Sequence, residues 1–161
     1  MAENKTNVMR ILDKAKINYN RYEYPHGKEA VDGVSVAKLL GQNPSQVFKT
    51  LVTHGGEGYY VFVVPVGDEL DLKKAAKAVG EKSVEMIHVK DINKVTGYIR
   101  GGCSPIGMKK QYRTVLHNTA NNLKTIIVSA GKIGYQIELS PKELISLIGA
   151  DTADIIINHT N

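Results

Sequence analysis

Apolar residues recur at helical spacing near the start of the chain, where Val8, Ile11, Leu12 and Ala15 follow Thr6. That period predicts an amphipathic helix with Thr6 as its N-cap. A second strip, Val34 to Leu40, stops at Gly41 with Pro44 beyond it, which is a helix-stop pattern. The period then shortens to two. Val47 to Thr53 and Tyr59 to Val66 read as strands joined through His54-Gly55-Gly56-Glu57-Gly58, a hairpin with a glycine-rich turn. Asp71 to Val79 reads as a helix stopped by Gly80, Ser83 to Val89 as a strand, and Asp91 to Thr96 as a short helix. A Gly/Pro-rich loop covers Gly97 to Lys110. Strands are predicted over Arg113 to Leu116, Thr125 to Ser129 and Tyr135 to Leu139. Ser140-Pro141-Lys142-Glu143 then supplies a capping Ser, a Pro at the first helical position and the Glu of a capping box. Leu144, Ile145 and Ile148 form that helix's apolar stripe, Gly149 ends it, and Asp154 to Ile157 is a candidate edge strand.

Strands and helices are mixed without strict alternation, and no repeat or linker interrupts them. The pattern predicts an α+β fold, a single domain over residues 1–161 built on a mixed sheet. A chain of 161 residues can bury a core without staples, and its one cysteine excludes an internal disulfide. No stretch has the length of a signal-peptide core or a membrane span, so a soluble, cytoplasmic protein is expected. The net charge of +5 is unevenly placed. No Asp or Glu occurs from Ile92 to Ile137, whereas Lys94, Arg100, Lys109, Lys110, Arg113, Lys124 and Lys132 do; the remainder of the chain is net −2. A regional positive field fits an anionic partner such as nucleic acid, nucleotide or phosphate, and equally a solvated lysine-rich face.

The strongest local feature is Gly101-Gly102-Cys103-Ser104-Pro105-Ile106-Gly107. Paired glycines allow positive φ and close backbone approach, and successive N–H groups in such a turn can cradle an anion. An ordinary surface turn has the same composition. Ser129-Ala130-Gly131-Lys132-Ile133-Gly134 is a second glycine loop without Walker or dinucleotide spacing. Strand alternation places Lys49 on a face with Val47 and Leu51, either as an edge lysine or as one projecting into a pocket toward a phosphate or carbonyl oxygen. Cys103 is a candidate nucleophile with His117 or His88 as base, but no cysteine-hydrolase signature accompanies it, and the reading is a bystander thiol. The histidines His26, His54, His88, His117 and His159 lack metal-ligand spacing. No metal and no cofactor is expected.

Six elements occur in order: Val47-Phe48-Lys49-Thr50-Leu51; Leu70-Asp71-Leu72-Lys73-Lys74-Ala75-Ala76; Val84-Glu85-Met86; Thr96-Gly97-Tyr98; the Gly101 to Gly107 loop; and Val128-Ser129-Ala130-Gly131-Lys132. Together they resemble the YbaK/EbsC family of aminoacyl-tRNA deacylases, within the prolyl-tRNA synthetase editing-domain superfamily. The resemblance spans roughly Val8 to Ile157. It implies a mixed, partly barrel-like β-sheet flanked by helices. It implies trans-editing hydrolysis of mischarged tRNA, most often Cys-tRNA(Pro) and sometimes other Cys-tRNAs, in which the substrate's own thiol attacks its ester carbonyl. The implied partners are the 3′ acceptor end of an aminoacyl-tRNA and prolyl-tRNA synthetase.

By that resemblance Lys49, Gly101 and Gly102 are the catalytic positions: Lys49 meets the terminal adenosine phosphate or the ester, and the two glycines donate backbone N–H groups. Tyr24 (Tyr22 if the local alignment slips), Thr50, Ser104, Pro105, Ser129, Gly131 and Gln136 are the substrate-binding positions. Two departures stand out. Gln136 replaces an aspartate that some relatives carry, which weakens the expected grip on the substrate's amino group. Lys132-Ile133-Gly134 replaces a Lys-Arg-Gly. The rival readings are a non-catalytic module that binds aminoacyl-tRNA or nucleotide beside a synthetase, and an enzyme using Cys103.

Overall fold

The structure, a computed structural model, describes residues 5–25, 32–56 and 58–158. His26, Glu57 and His159 lie outside them. Helix α1 (Asn7–Lys14) starts as its sequence predicts, with the Thr6 hydroxyl accepting the Met9 N–H at 3.2 Å, and buries Val8, Met9 and Leu12. Strand β1 (Asn20–Glu23) has no apolar alternation and was absent from the pattern reading. Helix α2 (Gly33–Leu39) is capped by Asp32. The hairpin forms from β2 (Phe48–Gly55) and β3 (Gly58–Pro65), with pairing running on to Gly55 and Gly58, further into the glycine run than the apolar residues indicate.

Helix α3 (Leu72–Val79) is held by Asp71 at its start and by left-handed Gly80 at its end, as expected. The strand predicted over Ser83 to Val89 shrinks to β4 (Glu85–Met86), because Val84 turns into the core and 89–91 wind into a 3-10 turn. Helix α4 (Ile92–Thr96), β5 (Arg113–His117), β6 (Ile126–Ser129), β7 (Tyr135–Leu139) and α5 (Pro141–Ile148) match the pattern. The Ser140 hydroxyl accepts the Glu143 N–H at 3.4 Å. A 3-10 turn over Asn118–Asn122 was unpredicted. The edge strand is displaced: β8 is Asp151–Ala153, not Asp154 to Ile157. Ile155 is instead fully buried with Ala75, Ala76 and Val79 of α3, and its carbonyl accepts the Asp71 N–H at 2.8 Å. Packing against the helix outcompetes pairing there.

The strands form two sheets, β1-β7-β6 and β4-β2-β3-β5-β8. Pairing is antiparallel except for β3–β5 and β5–β8, so the larger sheet is mixed. The two sheets touch through one parallel bridge, Val47 to Ile127, with the Ile127 N–H on the Gln46 carbonyl at 3.0 Å. Beyond that bridge β2 and β6 part. Two sheets joined at this bridge and flanked by helices agree with the α+β expectation. The main core lies between the sheets, with Phe48, Val61, Val63, Leu116, Val128, Ile137 and Leu139 meeting α1 and α5. A second cluster packs Phe62, Val64 and Val115 under α3.

A polar clamp holds the joined end of the seam. Glu138 on β7 accepts from the Tyr22 hydroxyl at 2.5 Å, from Gln46 Nε2 at 3.1 Å and from the Thr125 hydroxyl. Burial alone would raise this carboxyl's pKa, but hydrogen bonds from Thr125, Tyr22, Asn20 and Gln46 outweigh it and hold it below the ordinary value. Those bonds tie β1, β7 and the residues leading into β2 and β6 to one charge.

His117, at the end of β5, is 4% exposed, and its Nδ1 accepts the Ile155 N–H at 3.3 Å. That fixes a neutral imidazole with its proton on Nε2. Burial holds its pKa below the ordinary 6.5, against the pull of Asp154 and Asp68, while Lys74 also disfavours the charged ring. The folded state therefore binds this proton more weakly than the unfolded chain. Its contribution to stability is complete above pH 6.5 and is lost as the pH falls through that value toward the folded pKa. Urea unfolding between pH 8 and pH 5 should show stability declining toward acid, and His117→Gln should flatten that decline. An unchanged slope would remove His117 from the linkage.

Candidate functional site

Where β2 and β6 part, a cleft of about 560 Å³ opens. One wall is the free edge of β2, Val47 to Leu51. The others come from the start of α2, the Gly101 loop, and the ends of β6 and β7 with Tyr24. Backbone alternation aims this edge. The Val47 carbonyl accepts the Val66 N–H on the β3 side, while the Val52 carbonyl accepts the Ile87 N–H on the other. Thr50 shares the phase of Val52, so its N–H and C=O point away from β3, into the seam. Its hydroxyl oxygen is buried without a partner. Lys49 is half-buried and lines the same cleft.

Of the sequence-predicted positions, Tyr24, Lys49, Thr50, Gly101, Ser129 and Gln136 line this cleft together. Tyr24 rather than Tyr22 belongs to it, since the Tyr22 hydroxyl is committed to Glu138. Gly102, Ser104, Pro105 and Gly131 are not lining residues, and each has a structural task. The Gly102 N–H, expected to face substrate, donates to the Ile99 carbonyl at 3.0 Å. A Cβ on Gly102 would stand 3.0 Å from the Ile133 nitrogen and 3.1 Å from the Lys132 carbonyl carbon. This glycine therefore lets the two glycine loops meet backbone to backbone. Ser104 is fully buried, its hydroxyl accepting the Ile106 N–H at 3.2 Å, and Pro105 is buried beside it.

Tyr98 completes the support. Its hydroxyl donates to the Ile106 carbonyl at 2.5 Å, and its ring lies 3.1 Å from where a Gly131 Cβ would sit. Burial, with Cys103 nearby, pushes its pKa up to about 12, so it stays a neutral donor. Gly101 has φ +87°, a backbone that favours glycine, and it lines the cleft directly. The loop thus presents one glycine to the cleft, not two.

Sequence reasoning missed Asp32, Arg100 and Tyr135, which also line the cleft. Asp32 carried a signal, as a capping residue ahead of α2; both its oxygens hold Ser35, one the N–H at 2.9 Å and the other the hydroxyl at 2.8 Å. Those bonds keep its carboxyl below the ordinary range. Arg100 was visible only as one charge of the acid-free segment. The remaining charges of that segment spread out. Arg113, for example, lies along the C-terminal carbonyls of α3 and pairs with Asp151 at 3.5 Å. Among the described residues that line the cleft, the cations are Lys49 and Arg100.

The cleft carries little conventional catalytic equipment. Among the described residues that line it there is no histidine, and Asp32 is the one carboxylate. Cys103 lines it, but burial pushes its thiol up to about 11, with a weaker opposing hydrogen bond to Thr96. Among the described residues no group of three or more His, Cys, Asp or Glu could hold a metal ion, and no helix is long and apolar enough to cross a membrane. What remains is a half-open slot with cations, an upturned strand edge and a left-handed glycine. Such a site can bind and polarise an anionic or ester-bearing ligand.

Comparison with known proteins shows the family. The model of the aminoacyl-tRNA editing domain matches residues 28–147. The chain is 51% identical to the "Putative Cys-tRNA(Pro)/Cys-tRNA(Cys) deacylase EbsC" of Enterococcus faecalis over 95% of its own length and 94% of that protein. It is 26% identical to the proline–tRNA ligase of Kosmotoga olearia over 62% of its length, which is 17% of the ligase. A solved structure described as "a putative trans-editing enzyme for prolyl tRNA synthetase" shares the fold, with TM-score 0.80, 24% identity, and coverage of 95% of this chain and 99% of that one. The chain belongs to the aminoacyl-tRNA editing domain family.

The Cys103 environment makes a direct prediction. A thiol moved from 9.0 to about 11 holds about a hundredfold less thiolate at neutral pH, and thiolate is the reacting species. Alkylation by iodoacetamide at pH 8 should run at least about a hundredfold slower than for free cysteine and accelerate on urea unfolding. Rapid labelling of the folded protein would contradict the buried, neutral thiol.

Proposed function

We propose that the protein is a trans-editing deacylase that hydrolyses Cys-tRNA(Pro), and also Cys-tRNA(Cys), by using the thiol of the substrate. The observation that carries this reading is a cleft with binding and polarising groups but, among the described residues, no activated protein nucleophile. The Ser129 hydroxyl has no histidine among the described lining residues to take its proton and already accepts the Gly131 N–H at 3.1 Å. Cys103 is protonated at neutral pH. A cysteinyl ester supplies the missing nucleophile. Its sulfur attacks the ester carbonyl carbon, the bond from that carbon to the ribose oxygen breaks, and the thiol proton ends on the ribose hydroxyl. A thiolactone leaves and is hydrolysed in water.

The chain's own contribution is then proximity and charge. The acyl group is held folded back in the cleft, a geometry whose worth reaches about 7–11 kcal/mol in favourable intramolecular reactions. Lys49 faces the terminal phosphate or ester oxygen, and Arg100 adds positive charge to the same cleft. The Gly101 backbone and the Thr50 N–H are donors placed for the carbonyl oxygen as it gains charge. The acceptor end of the tRNA enters along the open seam, which needs no recognition of the tRNA body. Prolyl-tRNA synthetase is the partner that would hand over its mischarged product, a role in keeping with the ligase relatives. The same requirement sets specificity, because prolyl and alanyl esters lack an attacking thiol.

Deacylation of Cys-tRNA(Pro), Ala-tRNA(Pro) and Pro-tRNA(Pro) tests the reading. The cysteinyl ester should be cleaved and the other two spared. Lys49→Ala should lower kcat/KM by about 10²-fold or more, in line with loss of one polarising group, while Cys103→Ala keeps most of the activity. Preference for the alanyl ester would refute the substrate-thiol route. Binding of tRNA without turnover would make the protein a non-catalytic module. Tight dependence on Cys103 would restore a protein thiol.

Affinity for the acceptor end should also fall with salt. Two phosphate-facing cations predict a log–log slope of about −1.4 on single-stranded ends. A flat response in a filter-binding titration would show that phosphate contacts do not hold the ligand.

A further inference from the structure

Gln136, on β7, lines the cleft although it is only 6% exposed. Its Oε1 accepts a hydrogen bond from Gln42 Nε2 at 2.9 Å. Gln42 lies just past α2 and is pinned there by its own N–H on the Ala37 carbonyl at 2.8 Å. The pairing has a definite polarity. Gln42 Oε1 is buried without a partner. Turning both amides over would put the two N–H groups of Gln42 at that partnerless position, and buried orphan N–H groups are rarer and costlier than under-used carbonyls. With its oxygen turned to Gln42 and engaged there, Gln136 keeps both Nε2 hydrogens to offer a ligand.

We propose that Gln42 is a positioning residue that fixes Gln136 as a hydrogen-bond donor, so that this position reads an acceptor oxygen of the bound ester or ribose and not the substrate's ammonium group. The inference rests on the deacylase reading and narrows its substrate class: the site accepts 3-mercaptoacyl esters whether or not they carry an α-amino group. Asp32, the carboxylate among the described lining residues, is exposed and has each of its oxygens turned to Ser35.

Two measurements decide it. The first uses paired substrates, a tRNA acceptor minihelix bearing a cysteinyl or a 3-mercaptopropionyl ester, which differ only in the amino group. Wild type should hydrolyse both with kcat/KM within about threefold. Gln136→Glu is nearly isosteric, keeps the bond from Gln42 and turns an acceptor toward the cleft. Gln42→Glu can only accept, so it should draw in the Gln136 N–H groups and expose the Gln136 oxygen. Each variant should shift the ratio toward the cysteinyl ester by about tenfold, the worth of one hydrogen bond, and mainly through KM. A purely structural role would depress both substrates equally and lower the melting temperature. That outcome, or a wild-type preference for the cysteinyl ester above about tenfold, overturns the proposal.

The second measurement needs no activity. Side-chain amide exchange by NMR on the full chain should find the Gln42 protons protected and the Gln136 protons exchanging, and the Gln136 protons should become protected in Gln42→Glu. Protection of Gln136 in wild type overturns the assigned polarity. If wild type cleaves neither ester, the deacylase reading fails, and the exchange data still decide how the two glutamines face each other.

Discussion

The fold hangs on one junction. The smaller and larger sheets share a single backbone bridge, Val47 to Ile127, and everything that makes the cleft follows from their parting beyond it. The junction is reinforced on both sides. Ala37, Val47, Val66 and Ile127 bury together on one, and Glu138 gathers Gln46, Thr125 and Tyr22 on the other. An isolated pair of strands would slip in register, because a two-residue period punishes only odd shifts. Here an apolar lock and a charge clamp hold the same rung. A second rung cannot form, since Lys49 and Thr50 diverge from Val128 and Ser129 and leave the slot. The unsatisfied strand edge is therefore the price of the site, and it supplies donors that continued pairing with β6 would have consumed.

Support for the slot comes from glycines used in two different ways. Gly101 is a glycine because of its backbone, which turns left-handed at the cleft. Gly102 is a glycine because of its surroundings, where any Cβ would press on the backbone of Ile133. The first lines the cleft and the second locks the loop that carries it. Tyr98 wedges between these loops and α1, so the buried face of that helix reaches the site through one ring. The geometry of the cleft is in this sense set by the core and not by surface loops.

Most of the helices were legible in the sequence because caps and stops are local chemistry: Thr6, Asp71, Gly80, Ser140 and Gly149 act within one turn of where they stand. The failures were all decided at a distance. β1 is polar on both faces and becomes a strand only because β7 and Glu138 are there to receive it. Ile155 and Ile156 read as a strand but are claimed by α3 and by a bridge to Leu70. The site divided in the same way. Lys49, Thr50 and Gly101 were readable from motif and resemblance, and they do converge. The separation of Gly102 from Gly101 was not readable, because adjacent glycines look alike until their neighbours are known. Asp32, Arg100 and Tyr135 come from three separate segments that only the fold brings together.

Gln136 shows why composition at a position is not the same as its chemistry. An amide carries a donor and an acceptor, and a sequence cannot say which one a ligand meets. The answer lies with Gln42, 94 residues away in the chain, which occupies the oxygen and leaves the nitrogen. The contrast with the clamp at the other end of the same strand is instructive. Glu138, two residues on in β7, offers only acceptors, and the fold surrounds it with donors until its charge is fully engaged. Gln136 is engaged on one side alone, so its remaining hydrogens stay available to whatever fills the cleft. One strand thus spends a carboxylate on closing the seam and keeps an amide for the ligand at the place where the seam opens.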